Sequence, residues 1–345
     1  MQLEKSIKME YRQVGKSGLR ISEVGLGSWL TIGYNLNEAQ SNTLITRAID
    51  LGINFFDTAD AYENGESEKI IGNVLADATI ERKKIVIASK VFYPMSEDIN
   101  DRGLSRKHIK ESIEGTLDRL QTDYLDIYYC HRFDYNTPLS ETISAMDDLI
   151  TQGLIHYWGT SCWLSYQLER AQWVSKELHC HPPIVEQPMY NMLDRDPELH
   201  EFNVCKDHRI GITVFSPLAE GFLTGKYLES VSLDSRAMMT TRKKILRSNY
   251  EVEKLRQLKT LADEYELTLP QLALAWVLSK EEISSVITGA TKIEHIEQNV
   301  QASGVKLSKN QLEKISKILD NEPTYRYKYI PEMKIDRDSK LSRVI

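Results

Sequence analysis

Leu125-Asp-Ile-Tyr-Tyr-Cys-His131 and Ile85-Val-Ile-Ala-Ser-Lys90 are short, almost wholly apolar runs, each closing on one ionisable residue. Such runs read as strands buried on both faces. Working outward from them, the same pattern recurs at Val24–Gly27, Asn54–Asp57, Ile155–Ser161, Ile184–Gln187, Ile212–Ser216 and Ser285–Thr288. Helical periods lie between the runs: Leu44, Ala48 and Leu51; Ile70, Ile71, Val74 and Leu75; Ile109, Ile113, Leu117 and Leu120; Ile143, Met146 and Ile150. Eight buried strands alternating with helices, with no composition break or long linker, predict one (β/α)8 TIM barrel rather than two doubly wound domains. The single domain spans 1–345, with a core of about 10–321 and a tail of 322–345. A short N-terminal β-hairpin precedes the barrel, and a C-terminal helix over Leu312–Leu319 leads into the tail.

Composition narrows the function. Against 43 Lys+Arg stand 50 Asp+Glu, a net charge of −7, so neither nucleic acid nor an anionic membrane is the expected partner. Charged residues make up 27% and hydrophobic ones 41%, which excludes a disordered chain. Cys130, Cys162, Cys180 and Cys205 are scattered, without zinc or redox spacing, and fit a reduced compartment. There is no apolar leader and no run approaching the ~18 apolar residues of a membrane helix. A cytoplasmic protein without membrane insertion is expected.

Two segments exceed a bare barrel. Gly225–Asn249, with Arg236, Arg242, Lys243 and Lys244, is too long for a simple connection after strand seven and predicts a belt over the mouth. Tyr325, Tyr327 and Tyr329 sit in the tail, which reads as a strap, a lid or an oligomer contact.

Nucleotide and metal motifs are missing. Gly25-Leu-Gly27-Ser-Trp-Leu30 lacks the third glycine of a dinucleotide fingerprint, and no phosphate loop or zinc helix occurs, so no metal is expected. Polar residues at the carboxyl ends of strands remain, where barrel enzymes place their chemistry. Asp57, Lys90 and His131 close three strands and Tyr62 follows Asp57 by five residues. Singly, each has a plainer reading: a turn cap, a solvated charge, a core histidine, a surface aromatic. Jointly they form a reaction centre. A phenol with a pKa of ~10 needs a nearby cation to act as an acid at neutral pH, and Lys90 supplies one, held by Asp57. His131 would orient a substrate carbonyl, Tyr62 would protonate it, and the required hydride implies a nicotinamide cofactor.

These residues resemble the Asp, Tyr, Lys and His tetrad of the aldo-keto reductases, carried by Asp57-Thr-Ala-Asp-Ala-Tyr62, Lys90 and the His131-Arg-Phe-Asp run. Gly25-Leu-Gly27-Ser-Trp29, Trp158-Gly-Thr-Ser161, Glu186-Gln187, Phe215-Ser-Pro-Leu218 and Gly289-Ala-Thr-Lys292 follow in the family's order, so the resemblance covers Tyr11 to about Asn321. The branch it is most similar to contains the β-subunits of voltage-gated potassium channels, through Asn136-Thr-Pro-Leu139, Tyr157-Trp-Gly-Thr-Ser161, Ser216-Pro-Leu-Ala219 and Gly225-Lys-Tyr227.

The resemblance implies that Ser28, Trp29 and Asp57 line the nicotinamide end. Ser161, Cys162 and Gln187 would reach the carboxamide, and Phe215 would stack on the ring. Ser216, Pro217, Leu218, Gly221, Lys226 and Arg236 would follow the pyrophosphate. Gly289, Thr291, Lys292, His295, Gln298 and Asn299 would hold the adenosine end. Lys292, with Thr291 and His295, suits a 2′-phosphate, so the expected cofactor is NADPH (NADP+) rather than NADH. Many channel β-subunits carry Asn at the position of His131, Trp at that of Phe215, and Arg or Asn near Cys162; His131 therefore favours an active enzyme. Cys162 itself reads as a buried packing cysteine.

The expected activity is reduction of a small-molecule aldehyde or ketone. The alternative is a redox-sensing regulatory subunit of a potassium channel or other partner, although only about nine residues precede the first motif, short of a gating extension. A phosphosugar barrel enzyme is a third reading. A homo-oligomer, tetramer or octamer, is expected from the branch, with Trp173 and Trp276 as interface or core.

Overall fold

A computed structural model of the protein describes residues 9–77, 80–228 and 248–324. The eight apolar runs become the eight strands of a closed parallel barrel: β3 (Val24–Gly27), β4 (Phe55–Asp57), β5 (Val86–Val91), β6 (Leu125–Cys130), β7 (Ile155–Ser161), β8 (Val185–Gln187), β9 (Gly211–Val214) and β10 (Ile283–Thr288), with β10 pairing back onto β3. Before them, β1 (Tyr11–Gln13) and β2 (Arg20–Ser22) form the expected antiparallel hairpin.

Helices α1 (Glu38–Asp50), α2 (Glu66–Leu75), α3 (Arg106–Leu120), α4 (Leu139–Thr151), α5 (Ser165–Glu177) and α6 (Glu201–His208) each follow a strand; α7 (Asn249–Glu264) and α8 (Leu269–Leu278) follow β9, and α9 (Ile293–Val300) and α10 (Lys309–Leu319) follow β10. Several starts are written locally as capping boxes. Asn37 with Gln40, Ser248 with Glu251, Thr268 with Gln271, and Ser308 with Gln311 each satisfy an orphan backbone donor of the first turn.

Strand parity divides the core. Odd positions of β4 and β6 face the barrel interior, where Phe55, Ile127 and Tyr129 cluster with Val86, Ala88, Val185 and Ile287. Their neighbours Phe56, Tyr128, Cys130 and Ile87 face outward and pack beneath the helices. The interior is crowded enough to require a glycine: a Cβ on Gly159 would lie 2.5 Å from Val185 Cγ1 and 2.8 Å from Tyr129 Cε1. From the hairpin, Val14 and Ile21, both 0% exposed, plug the amino-terminal end. Glu23 locks the plug by accepting from Arg12 Nε at 2.7 Å and from the Gly304 amide at 2.7 Å.

The same parity carries the interior register to the other end. Phe55 leads to Asp57, Ala88 to Lys90, and Tyr129 to His131, so all three arrive at the carboxyl rim on the inner side. Some boundaries differ from expectation. β6 stops at Cys130 and β9 at Val214: the His131 amide still donates to the Val91 carbonyl at 3.0 Å and Phe215 bridges Met189, and the chain then turns away at Ser216, which is left-handed with φ +52°. Trp276 is core and Trp173 is 58% exposed. Arg236, Arg242, Lys243 and Lys244 of the expected belt, and the tail tyrosines, lie outside the described residues. No helix among the described residues is long and apolar enough to cross a membrane.

Candidate active site

Asp57, the last residue of β4, is joined by Lys90 from the neighbouring strand β5. The Lys90 ammonium, 0% exposed, donates to Asp57 Oδ1 at 2.6 Å, to the Thr58 carbonyl at 2.7 Å and to the Tyr62 hydroxyl at 3.1 Å. Gln187 Nε2 donates to the other Asp57 oxygen at 2.8 Å. Each ammonium proton and each carboxylate oxygen of the buried pair therefore has a hydrogen-bond partner.

Tyr62 is aimed by an unusual backbone. Glu63, Asn64 and Gly65 are successive left-handed residues with φ +49°, +53° and +89°, which turn the chain from the β4 loop into α2. At Gly65 a Cβ would also meet Arg119 Cδ at 2.7 Å. Such conformations store strain that the surroundings must hold. The holding network is polar and buried: Thr58 Oγ1 accepts from Ser28 Oγ at 2.9 Å, and Asp60 accepts from Ser112 Oγ at 2.9 Å and from the Ala61 amide at 2.6 Å. Glu68 accepts from Ser89 and, at 2.7 Å, from Arg119 Nε.

Opposite the phenol stands His131, its ring centroid 5.8 Å from that of Tyr62 at an interplanar angle of 75°. Tyr93 also packs edge-on against the imidazole, with centroids 4.9 Å apart. His131 Nδ1 is buried and has no hydrogen-bond partner among the described residues.

The electrostatics follow from burial and charge. Burial pushes the Tyr62 phenol above its ordinary value, and the Lys90 charge opposes that rise without cancelling it. The tyrosine thus keeps its proton more firmly than an acid lowered outright by lysine. For Lys90, burial acts downward, but Asp57 and Tyr62 outweigh it and hold the ammonium above its ordinary value. Burial, then the Lys90 and Arg132 charges, push His131 well below the usual imidazole range, so the ring is neutral. Burial, with the Glu68 charge adding, raises Asp60 to about 7.

Asp57, Tyr62 and His131 open into a cavity of about 1370 Å³. Its wall includes Trp29, Ser161, Gln187, Phe215, Ser216, Pro217, Leu218, Gly221 and Lys226, and runs on to Gly289, Thr291, Lys292, His295, Gln298 and Asn299. Lys90 lies beneath the wall and reaches the cavity through Tyr62. Ser28 is buried behind it, its hydroxyl spent on Thr58. Cys162 is exposed rather than a buried packing residue, in a left-handed conformation with φ +55°, and is not part of the wall. Arg236 lies outside the described residues.

The far end of the cavity suits an elongated anionic dinucleotide. Lys292 is the N-cap residue of α9 and makes no side-chain capping bond, at the helix end that carries partial positive charge. Burial, then Lys292 and Lys226, lower His295, which marks a positive potential there. Several wall residues were given no role from the sequence: Arg132, although it stands in the His131-Arg-Phe-Asp run, and Tyr93, Lys259 and Asp263. Only Arg132 stood beside a residue already singled out.

Comparison with known proteins agrees with this architecture. The aldo/keto reductase family model matches residues 23–320. A probable voltage-gated potassium channel subunit beta from Oryza sativa subsp. japonica is 40% identical over 322 residues, covering 91% of this chain and 98% of its own. One of the same description from Arabidopsis thaliana is 41% identical over the same shares. With the closed barrel, the tetrad at its carboxyl rim and a family match across nearly the whole barrel, the chain belongs to the aldo/keto reductase family, oxidoreductases that use NAD(P)H.

Proposed function

We propose that the protein is an NADPH-dependent reductase of aldehyde or ketone carbonyls. The observation that carries the reading is the chain Asp57–Lys90–Tyr62, which puts a phenol, its proton and a fixed cation at a cavity mouth opposite a neutral imidazole. The nicotinamide, when bound, supplies the hydride for the carbonyl carbon.

The residues of the chain perform the remaining tasks. A carbonyl between Tyr62 and His131 accepts hydrogen bonds from the phenol and from the neutral imidazole, which orient it. As negative charge develops on the oxygen, Tyr62 releases its proton to it. Lys90, 3.1 Å from the phenol oxygen, stabilises the phenolate left behind, an interaction worth more in the low-dielectric floor than in water. Asp57 and the Thr58 carbonyl keep Lys90 in place through that change. At the other end, Lys292, Thr291 and His295 offer a cation and polar donors to a 2′-phosphate, which favours NADPH over NADH.

The test is NADPH binding and consumption with a panel of aldehydes, for the unmodified protein and Tyr62→Phe. Turnover lost by at least about 100-fold with NADPH affinity retained is expected from removal of a general acid. Tight NADPH binding with negligible turnover in both proteins defeats the reductase reading. That outcome favours the second one, a cofactor-binding regulatory subunit, for which the names of the rice and Arabidopsis relatives speak.

A further inference from the structure

One cation at the mouth has no part in the tetrad. Arg132 follows His131 just beyond β6 and lines the cavity beside it. Its Nη1 donates to the His131 carbonyl and, at 3.4 Å, to Ser161 Oγ, and its guanidinium lies 5.8 Å from the Tyr93 ring centroid. Among the described residues no carboxylate pairs with it, and Nε and Nη2 have no protein partner. The cation is therefore anchored by one corner while its fork remains available.

We infer that Arg132 is a specificity-determining residue that binds an anionic group of the substrate, so that the site selects short aldehydes and ketones bearing a carboxylate. The inference rests on the reductase reading for the carbonyl end of the substrate. Two independent features support the anionic end. A planar guanidinium matches a carboxylate with two parallel hydrogen bonds, which a neutral ester cannot reproduce. Ring contacts join the phenol to Arg132 around His131: Tyr62 to His131 with centroids 5.8 Å apart, Tyr93 to His131 at 4.9 Å, and the guanidinium 5.8 Å from the Tyr93 centroid. A carbonyl at Tyr62 and a carboxylate at Arg132 thus belong to one small molecule lying across His131. Lys226 and Lys292 serve the opposite, cofactor end of the cavity.

The probes are 4-oxobutanoate and its methyl ester, reduced by protein saturated with NADPH. The acid is expected to exceed the ester in kcat/KM by at least about tenfold, mainly through KM. In Arg132→Met that ratio falls to about one, and Arg132→Lys restores part of it. A binding measurement stands apart from turnover: calorimetric titration of the NADP+-loaded protein with 4-hydroxybutanoate, expected to be at least about tenfold weaker in Arg132→Met. An acid-to-ester ratio near one in the unmodified protein, or a preference that survives Arg132→Met, overturns the inference. So does a fall in NADPH affinity in Arg132→Met with the ratio unchanged, which assigns the cation to the cofactor. Arg132-dependent binding of 4-hydroxybutanoate without reduction of either aldehyde leaves the inference standing and refutes the reductase reading instead.

Discussion

Replacing Lys90 by Met tests the buried pair directly and needs no knowledge of the substrate. The ammonium is 0% exposed and Asp57 only 4%, so Lys90→Met leaves a carboxylate in the barrel with its counter-ion gone. Breaking a buried pair from one side costs about 3–5 kcal/mol. Asp57 retains the 2.8 Å bond from Gln187 and faces the cavity, which places its share near the lower end, about 3 kcal/mol. The Thr58 carbonyl loses its 2.7 Å donor, adding about 1 kcal/mol. A loss of about 4 kcal/mol is therefore expected, read from urea unfolding at pH ~7. Asp57→Asn in the same background removes the orphaned charge, so the double variant should be no less stable than Lys90→Met alone. If Asp57→Asn alone costs about 3 kcal/mol, the coupling is of the same size. A cost below about 1 kcal/mol for Lys90→Met, or strict additivity in the cycle, would falsify the claim that the pair acts as a unit.

Three further outcomes follow from the packing and the charges. Because His131 is held neutral by burial and by the Lys90 and Arg132 charges, kcat/KM should show no imidazole ionisation near pH ~6.5; an inflection there that vanishes in His131→Gln means that the ring carries a proton. Asp60 binds its proton up to about 7 in the folded protein against 3.8 ordinarily, so folding takes up a proton between those values and stability falls as pH rises through that window. Asp60→Asn removes this slope and should gain about 2–3 kcal/mol on the unmodified protein between pH ~5 and ~8, measured by unfolding at both; a pH-independent difference refutes the assignment. Gly72→Ala would ordinarily favour a helix, yet its Cβ would lie 2.3 Å from the Arg119 carbonyl and 2.8 Å from Leu120 backbone atoms, so α2 and α3 must part. A loss of at least about 2 kcal/mol in thermal or urea unfolding is expected, and a gain would show that the two helices yield.

The barrel was legible because a parallel strand covered on both faces leaves a continuous apolar run, and each of the eight runs became a strand. Asp57, Lys90 and His131 were legible because a run ending in an ionisable side chain at the carboxyl rim is a local pattern. The support behind them was not. Glu68 reaches Arg119 across 51 residues and Asp60 reaches Ser112 across 52, and polar residues ordinarily signal a surface, whereas both carboxylates are 0% exposed. Arg132 escaped for a different reason. Its side chain enters the cavity because β6 ends one residue before His131, and such an end depends on pairing with β5 and β7 rather than on the residues themselves. Cys162 looked like packing because free cysteines usually are; its left-handed backbone, which carries the residue outward, has no signature in the sequence.

The ring closes between the first and last of its strands: Val286 pairs with Val24 and Thr288 with Leu26, while Glu23 holds the Gly304 amide across 281 residues. Every other barrel pairing joins strands that are neighbours in the chain. On the ribosome, seven strands can therefore assemble in order as they emerge, with β3 and β9 left as open edges and Glu23 without its amide partner. Only the arrival of Ile283–Thr288 saturates both edges at once. A chain broken off before that strand keeps two unpaired borders, so closure is a single late event that separates a finished molecule from an aggregation-prone fragment.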